Sequence, residues 1–415
     1  MIVILNIFAH PDWSSDRVHL LLYILAAIAF FAWLYLLIFH HRFWRADQRL
    51  PRDLDGPRHW PPIAAVVPAR NEARFIGEAV ESLLGQDYPG ALTVFVVDDH
   101  SEDGTGDIAK KAVQAHAQSK DRFLRIIAAP DLAPGWTGKL SAMAGGVEAA
   151  GKDEPRYFLF TDADIAHDPG NLRRLVAKAE AGKLALVSLM VRLHCRSAIE
   201  HLLVPAFVFF FQKLYPFPAS NNPKSRIAAA AGGCMLVRRE TLTNAGGLAE
   251  IKDALIDDCA LARLLKAQGP IWLGLADDTT RSLRPYDGLR DFWGMVARTA
   301  YTQLGHSPLM LLGAVLGMLL LYVVPVAALL WGFVTAIPAL ILMGLVTYAA
   351  MLLAYWPTRR LYGGFSLPFL GLPPAAFLYT AMTVDSGWRH WRGRGGGWKG
   401  RTYPAPAREE RGGKQ

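Results

Sequence analysis

Apolar positions follow three different rhythms along the chain. The first is continuous. Val18 to Phe39 is a run of 22 positions in which His19 is the only strongly polar residue. At about 1.5 Å per residue, such a helix crosses a hydrocarbon layer of about 30 Å. A cleaved leader is the competing reading. It would want a basic flank ahead of a shorter apolar stretch and a small-residue cleavage site after it, and none of these is present. The run ends in His40-His41-Arg42-Phe43-Trp44-Arg45, then Arg49 and Arg52. A basic, aromatic edge places that end in the cytoplasm, with residues 1–17 outside. Residues 40–61 read as a charged, proline-containing linker.

The second rhythm is again continuous, near the other end. Pro308–Phe333 and Ala336–Trp356 are two candidate spans with a very short turn at Thr335, which predicts a hairpin. Pro325 inside the first is tolerable in a membrane helix, and Arg359-Arg360 returns the chain to the basic side. Ser366–Val384 is broken by Pro368, Gly371 and Pro373-Pro374 and is followed by a basic tail. If it spanned, that tail would lie outside, against the positive-inside trend. The expectation over 366–385 is therefore a re-entrant or interfacial segment, with a third C-terminal span as the alternative. His201–Phe217 is too short and interrupted to span. It reads either as a buried core helix or as an interfacial segment with its aromatics toward lipid.

The third rhythm fills the middle, where short β-type runs alternate with helical stretches. Candidate strands are Ile63–Val67, Leu92–Val97, Phe123–Ala128, Tyr157–Thr161, Leu184–Val191, Cys234–Val237 and Ile271–Leu275. Candidate helices are Ala73–Gly85, Gly106–Ala117, Lys139–Ala149, Asn171–Ala181 and Cys259–Gln268. This alternation predicts an α/β layer fold around a largely parallel sheet, over about residues 62–300.

Composition agrees with two environments in one chain. Apolar residues make up 52% and charged residues only 19%, which excludes intrinsic disorder and argues against a fully soluble protein. Three cysteines without CxxC spacing argue against a disulfide framework or a structural zinc site. The net charge of +8 calls for an anionic partner. Most of it sits in residues 386–415, where eight Lys/Arg face Glu409 and Glu410. The excess therefore points to an anionic inner leaflet and not to nucleic acid.

In open α/β sheets, ligands bind beyond the carboxyl ends of the strands. Three polar clusters fall there: Pro68-Ala69-Arg70-Asn71-Glu72, Asp98 through Thr105, and Asp162-Ala163-Asp164. Asp162 and Asp164 suit a hard divalent cation, which takes one or two carboxylates plus substrate phosphates. A second Asp-x-Asp, Asp53-Leu54-Asp55, has no strand before it and reads as a solvated loop. His167 is a further conceivable ligand, more simply a satisfied histidine. Asp98 and Asp99 suit a base or ribose, or else cap the next helix. Lys139 opens a helix in the Gly-flanked loop 135–139, which suits a phosphate. Neither GxxxxGK[ST] nor a strand-borne GxGxxG occurs, so P-loop and nicotinamide readings lose support. Gly232-Gly233 allows close backbone approach to a ligand. Asp257-Asp258 starts a helix, either as an N-terminal pair favoured by the macrodipole or with one carboxylate as a general base.

Taken in order, VVPARNEA (66–73), VVDDHSEDGT (96–105), GWTGKLSAMAGG (135–146), TDAD (161–164), GGCMLVRRE (232–240) and IDDCALARLL (256–265) resemble family 2 glycosyltransferases. More closely, the chain resembles the hopene-associated glycosyltransferases of bacterial hopanoid loci. The resemblance implies a GT-A fold with flanking transmembrane helices, a nucleotide-diphospho-sugar donor, a divalent metal (Mg²⁺ or Mn²⁺) and inversion. By position, Pro68, Arg70, Glu72, Asp98 and Asp99 would line the nucleoside pocket, and Lys139 would contact the nucleotide. Asp162 and Asp164 match the metal-binding pair, with Asp162 also beside the donor. Asp258 matches the catalytic base, with Asp257 where Glu is common. Processive members carry Gln-x-x-Arg-Trp after the base. Here Met295-Val296-Ala297-Arg298-Thr299 retains only the arginine, which implies transfer of a single sugar.

Gly233, Asp257 and Arg298 are expected to contact acceptor or diphosphate. Arg281, Arg284 and Arg298 are expected to meet diphosphate or lipid headgroups, or to form a plain basic surface. The expected activity is single-sugar transfer to a lipid acceptor, in hopanoid biosynthesis, at the cytoplasmic side of a bacterial inner membrane. The alternatives are a polyprenyl-phosphate glycosyltransferase, a polysaccharide synthase, or a non-catalytic membrane scaffold or transport component.

Overall fold

The computed structural model describes residues 14–115, 121–363, 371–395, 397–398 and 401–402. Most of the external N-terminus, residues 366–370 of the proline-broken segment and most of the basic tail lie outside these.

A helix, α1 (Ser14–Ile38), leads into the linker. The central domain then runs β1 (Ile63–Ala69), α2 (Ile76–Leu84), β2 (Leu92–Asp98), α3 (Thr105–Ala115), β3 (Arg122–Ala128), α4 (Gly138–Gly151), β4 (Tyr157–Phe160), β5 (Ile165–His167), α5 (Asn171–Ala181) and β6 (Leu186–Met190). It continues through α6 (Ala198–Leu214), β7 (Met235–Arg238), α7 (Asp257–Lys266), β8 (Ile271–Leu275), β9 (Thr280–Ser282) and α8 (Leu289–Gln303).

Seven strands form one sheet in the order β3-β2-β1-β4-β7-β6-β8. All pairs are parallel except those of β7, which runs antiparallel to both β4 and β6. That reversal is a departure from the sequence pattern, because a four-residue apolar run carries no sign of its direction. The central strands are buried along their whole length, β1 at every position, because helices cover both faces. Ile76, Val80 and Leu83 of α2 and Leu172 and Leu175 of α5 cover one face. Leu140 and Met143 of α4 and Leu261 and Leu265 of α7 cover the other. β5 and β9 form a separate antiparallel ribbon beyond the end of β4. Its three-residue strands are too short to show a period.

Three helices in the described residues are long and apolar enough to cross a membrane: Arg17–Ile38 within α1, α9 (Pro308–Thr335) and α10 (Pro338–Leu361). The α9–α10 turn is two residues, with Ala336 in the left-handed region at φ 53°. The two helices touch through glycines. A Cβ at Gly332 would lie 2.7 Å from the Ile341 nitrogen, and one at Gly344 2.6 Å from the Leu329 nitrogen. Small residues at such crossings let backbones pack closely.

Within α9 the backbone widens to a π turn over Leu319–Val323, just ahead of Pro325. Pro325 has no N–H for the carbonyl of Leu321, and the indole Nε1 of Trp33 on α1 donates to that carbonyl instead at 2.8 Å.

A final helix, α11 (Leu372–Trp391), has Pro373 and Pro374 in its first turn, where proline is tolerated. It is not among the three candidate spans. It packs on α8 and α6 through Tyr379, whose hydroxyl donates to the Leu203 carbonyl at 2.9 Å.

α6 joins the two halves of the molecule. It starts with a capping box between Ser197 and Glu200. Leu203, Val204 and Phe209 then enter a core shared with Trp33, Phe292, Tyr322, Tyr355 and Leu275.

Candidate active site

The polar loops meet at one edge of the sheet because β1, β2 and β4 are parallel neighbours and end together. The loops after β1 and β2 are laced to each other. Glu72 N–H donates to Thr105 Oγ1 (2.8 Å), Ala73 N–H to Asp103 Oδ2 (2.9 Å), and Glu102 N–H to Asn71 Oδ1 (3.0 Å). Asp98 Oδ1 accepts from Ser101 N–H at 2.9 Å. Helix capping therefore does not explain Asp98 and Asp99. Asp103 takes that role, accepting the N–H of Thr105, the first residue of α3. Asp99 is buried at 2% exposure with Arg70 beside it, whose Nη1 lies 3.6 Å from Asp99 Oδ2 and donates to the Asp99 carbonyl at 2.7 Å. Pro68 is buried in β1 opposite Val97.

Asp162 and Asp164 stand in the turn between β4 and β5. The Ile165 N–H closes that turn on the Asp162 carbonyl at 3.2 Å, and Leu283 N–H after β9 donates to the Asp164 carbonyl at 2.8 Å. Each side chain faces a cation of the chain. Lys139 Nζ lies 2.9 Å from Asp162 Oδ1 and 3.1 Å from Asp257 Oδ2. Arg284 Nε lies 2.6 Å from Asp164 Oδ2, and its Nη2 pairs with Glu72 Oε2. Burial would lower the Lys139 pKa. The carboxylates of Asp162 and Asp257, with Asp258 behind them, outweigh burial and hold it well above the ordinary value.

Asp258 is in the first turn of α7. Its Oδ2 accepts the Gly232 N–H at 3.0 Å and its Oδ1 accepts the Cys259 N–H at 2.7 Å. Burial, then the neighbouring Asp257 carboxylate, raise its pKa to about 6 against the pull of Lys139 and two backbone N–H groups.

A cleft of about 1080 Å³ opens over this edge. Glu72, Asp162, Asp164, Gly233, Asp258 and Arg298 line it. Arg70, Asp98, Asp99, Lys139 and Asp257 lie outside that lining and hold it in place. The cleft continues to Phe207 and Phe211 of α6 and to Met295 of α8, and Arg290 and Arg389 also line it.

His167 is not part of it. The imidazole is buried between Thr161 Oγ1 (2.9 Å) and Asn171 Nδ2 (3.0 Å), and burial lowers its pKa to about 3. Arg281 pairs with Glu78 at 3.1 Å on the exposed side.

Two groups do more than their mark in the sequence shows. Thr105 and Asp103 shape the first two loops, and their only signal is the tail of the VVDDHSEDGT run. Glu200 accepts N–H groups from Arg196 (2.9 Å), Ser197 (2.8 Å) and Tyr286 (2.9 Å) and faces His194 Nδ1 at 2.7 Å, which ties α6 to the cleft wall. Burial favours its neutral form, but the three N–H groups and His194 hold its carboxyl down at about 2. The Ser197-x-x-Glu200 spacing marks the capping box, but nothing local marks the third amide, 86 residues away.

Residues 64–244 match the model of glycosyl transferase family 2. The chain is an enzyme with a glycosyltransferase family 2 domain. Among solved structures, the mannosyltransferase PcManGT of Pyrobaculum calidifontis, in complex with GDP-Man and Mn²⁺, is similar at a TM-score of 0.55 and 20% identity, over 88% of this chain and 99% of that one. TarS of S. aureus aligns at a TM-score of 0.39 and 17% identity, over 58% of this chain and 39% of that one. Glucosyl-3-phosphoglycerate synthase from Mycobacterium tuberculosis, with Mn²⁺, UDP-Glc and phosphoglyceric acid, aligns at 0.39 and 20% identity, over 59% of this chain and 79% of that one. No curated protein matches the chain significantly. The likeness to the mannosyltransferase shows a shared GT-A-like fold that extends beyond the matched domain.

Proposed function

We propose that this chain is a membrane-embedded, inverting glycosyltransferase that moves one sugar from a nucleotide-diphospho-sugar to a hydroxyl of a lipid acceptor. One observation carries the reading: a single cleft joins the Asp162, Asp164 and Asp258 carboxylates to Phe207, Phe211 and Met295, on helices packed against the apolar bundle. An acceptor headgroup can reach Asp258 while its apolar part stays near that bundle. The organisation that serves this is α1, α9 and α10 across the inner membrane of a bacterium, with residues 62–300 on the cytoplasmic side and 386–415 along an anionic leaflet. A hopanoid is the acceptor proposed first.

Pro68, Arg70, Glu72, Asp98 and Asp99 shape the nucleoside end of the donor site, and Lys139 faces its phosphates. Asp258 Oδ2 accepts the acceptor hydroxyl proton, as a general base whose raised pKa brings it close to neutral pH. Attack from its side on the anomeric carbon, opposite the departing diphosphate, inverts the centre. Arg298, on the cleft wall, is placed to meet developing phosphate charge.

The donor set of Asp162 and Asp164 is two hard carboxylates, the ligand type that Mg²⁺ and Mn²⁺ accept. No group of three potential ligands occurs among the described residues, so a bound cation would draw its remaining ligands from diphosphate and water. That both carboxylates already attract cations, Lys139 and Arg284, fits such a site. Bound there, the metal would neutralise charge on the leaving diphosphate.

A second reading, transfer to a polyprenyl phosphate, is favoured by Arg290, Arg298 and Arg389 along the acceptor end of the cleft. Purified full-length protein assayed with a panel of nucleotide sugars against hopanoid and polyprenyl-phosphate acceptors separates the two. Lipid profiling of a deletion strain then tests the acceptor in the cell. A product with neither lipid would refute the lipid-acceptor reading, and full turnover in excess chelator would remove the metal from it.

A further inference from the structure

A second cleft lies away from the first and shares only Met190 with its lining. It measures about 510 Å³ and is built from four distant parts of the chain, one of them the loop after β8 with Asp277 and Asp278. Arg45 and Arg49 come from the linker after α1, Arg192 from the end of β6, and Trp356 and Arg360 from the end of α10. Four arginines face two carboxylates, Asp277 and Asp278. Arg49 pairs with Asp277 and Arg192 with Asp278. Arg360 makes no ion pair among the described residues. Arg45 reaches only Asp47, at 4.0 Å and half exposed. Arg359, the next residue in the chain, is buried with its Nε and Nη2 unpartnered and adds a further positive charge within one residue of Arg360. A lining with this surplus attracts an anion. Guanidinium groups bind a phosphate in a bidentate way, and exposed pairs with carboxylates are weak enough to exchange.

The position of the cleft says where that phosphate comes from. Arg359 and Arg360 are in the last turn of an apolar helix long enough to span. Arg45 is seven residues beyond the end of α1, next to Trp44, whose indole donates to the Leu37 carbonyl of α1. The basic ends of two candidate spans therefore meet on the same side, with Trp356 and Tyr362 in the lining. Tryptophan and tyrosine are the residues of headgroup depth. A choline or ethanolamine headgroup would bring its own cation against the arginines, so the lining selects an anionic phospholipid.

We infer that the cleft between the post-α1 linker, the β6 end and the α10 end is a binding site for the headgroup of an anionic phospholipid. The inference rests on the membrane-embedded reading of α1 and α10, and the test keeps the two apart. Recovery of the full chain in phosphatidylcholine nanodiscs reads membrane insertion alone. Detergent-solubilised full chain is then titrated with dioctanoyl phosphatidylglycerol, dioctanoyl phosphatidylcholine or inorganic phosphate, with the melting midpoint as readout.

The expected result is saturable stabilisation by phosphatidylglycerol, none by phosphatidylcholine, and a response to phosphate only at tenfold or higher concentration. Arg45→Ala and Arg360→Ala, both at exposed positions, should each weaken phosphatidylglycerol about fivefold and leave basal sugar transfer in detergent unchanged. Arg360→Lys should keep most of the response. Equal stabilisation by phosphatidylcholine would overturn the inference, as would unaltered titration of both alanine variants. Phosphate acting at the same concentration as the lipid would also overturn it, by making the cleft a free-phosphate site.

Discussion

The sheet edge and the helical bundle satisfy their polar groups in opposite ways. At the edge, charges meet charges: Lys139 lies between Asp162 and Asp257, and Arg284 between Asp164 and Glu72. In the bundle, single neutral hydrogen bonds dominate, as in Trp33 to Leu321 and Gln212 to Thr358. Paired charges can exchange partners when a charged ligand arrives. A neutral bond in an apolar surround has nowhere else to go. The edge is therefore built to change and the bundle to persist, and substitutions should separate rate from stability accordingly.

The largest separation is expected from Asp258→Asn. It removes the base but keeps the shape, and general-base groups contribute about 10²–10⁴-fold. Sugar transfer should fall by about 10³-fold with donor binding retained, while the melting midpoint shifts only slightly, because the amide can accept from one of the Gly232 and Cys259 N–H groups but not both. Loss of donor binding in parallel would place Asp258 in the donor pocket instead.

Glu200→Ala tests the joint between the regions. Three N–H groups and His194 would lose their acceptor, at about 3 kcal/mol of stability for the set. Denaturation should show the loss, and an unchanged midpoint would mean that α6 is held by its apolar face alone.

A milder test uses pH. Asp258 accepts a proton only when ionised, and its pKa is raised to about 6. Transfer should be nearly flat above about pH 7 and fall through a midpoint near 6, to about a tenth at about pH 5. Because the folded state raises this pKa, protonation favours folding: the Asp258 contribution to stability is full in acid and is lost as pH rises through about 6. Activity and stability should thus move in opposite directions across this window.

The smallest effect belongs to the bundle. Trp33→Phe keeps an aromatic ring but leaves the Leu321 carbonyl without its donor, which costs about 1 kcal/mol. It should lower the melting midpoint and leave the rate per folded molecule unchanged. A change in rate would show that the bundle takes part in catalysis.

Much of the α/β framework is legible in the sequence because buried parallel strands are near-continuous apolar runs, and Ile271–Leu275 and Asn171–Ala181 can be bounded from pattern alone. The direction of β7 and the β5–β9 ribbon cannot, since both depend on partners distant in sequence. The helix expected from Ala73 begins at Ile76 instead, because Asn71 through Ala73 spend their backbone N–H and side-chain groups on the β2 loop. The acidic clusters are visible as strand-end residues. Their countercharges are not: the pattern suits Lys139 to a phosphate and Arg284 to a headgroup or diphosphate, and nothing in it pairs Arg284 with an aspartate 120 residues away.

The bond from Trp33 to Leu321 also has a consequence in time. Its two residues are 288 positions apart. At about 5–20 residues per second, the ribosome delivers the carbonyl about 15–60 s after the indole. Through that interval α1 waits for its partner, while the whole central domain emerges. The separation in sequence thus sets the order of assembly. The clasp between α1 and α9 closes only after the domain between them has emerged, and the Thr358 and Tyr379 contacts follow it.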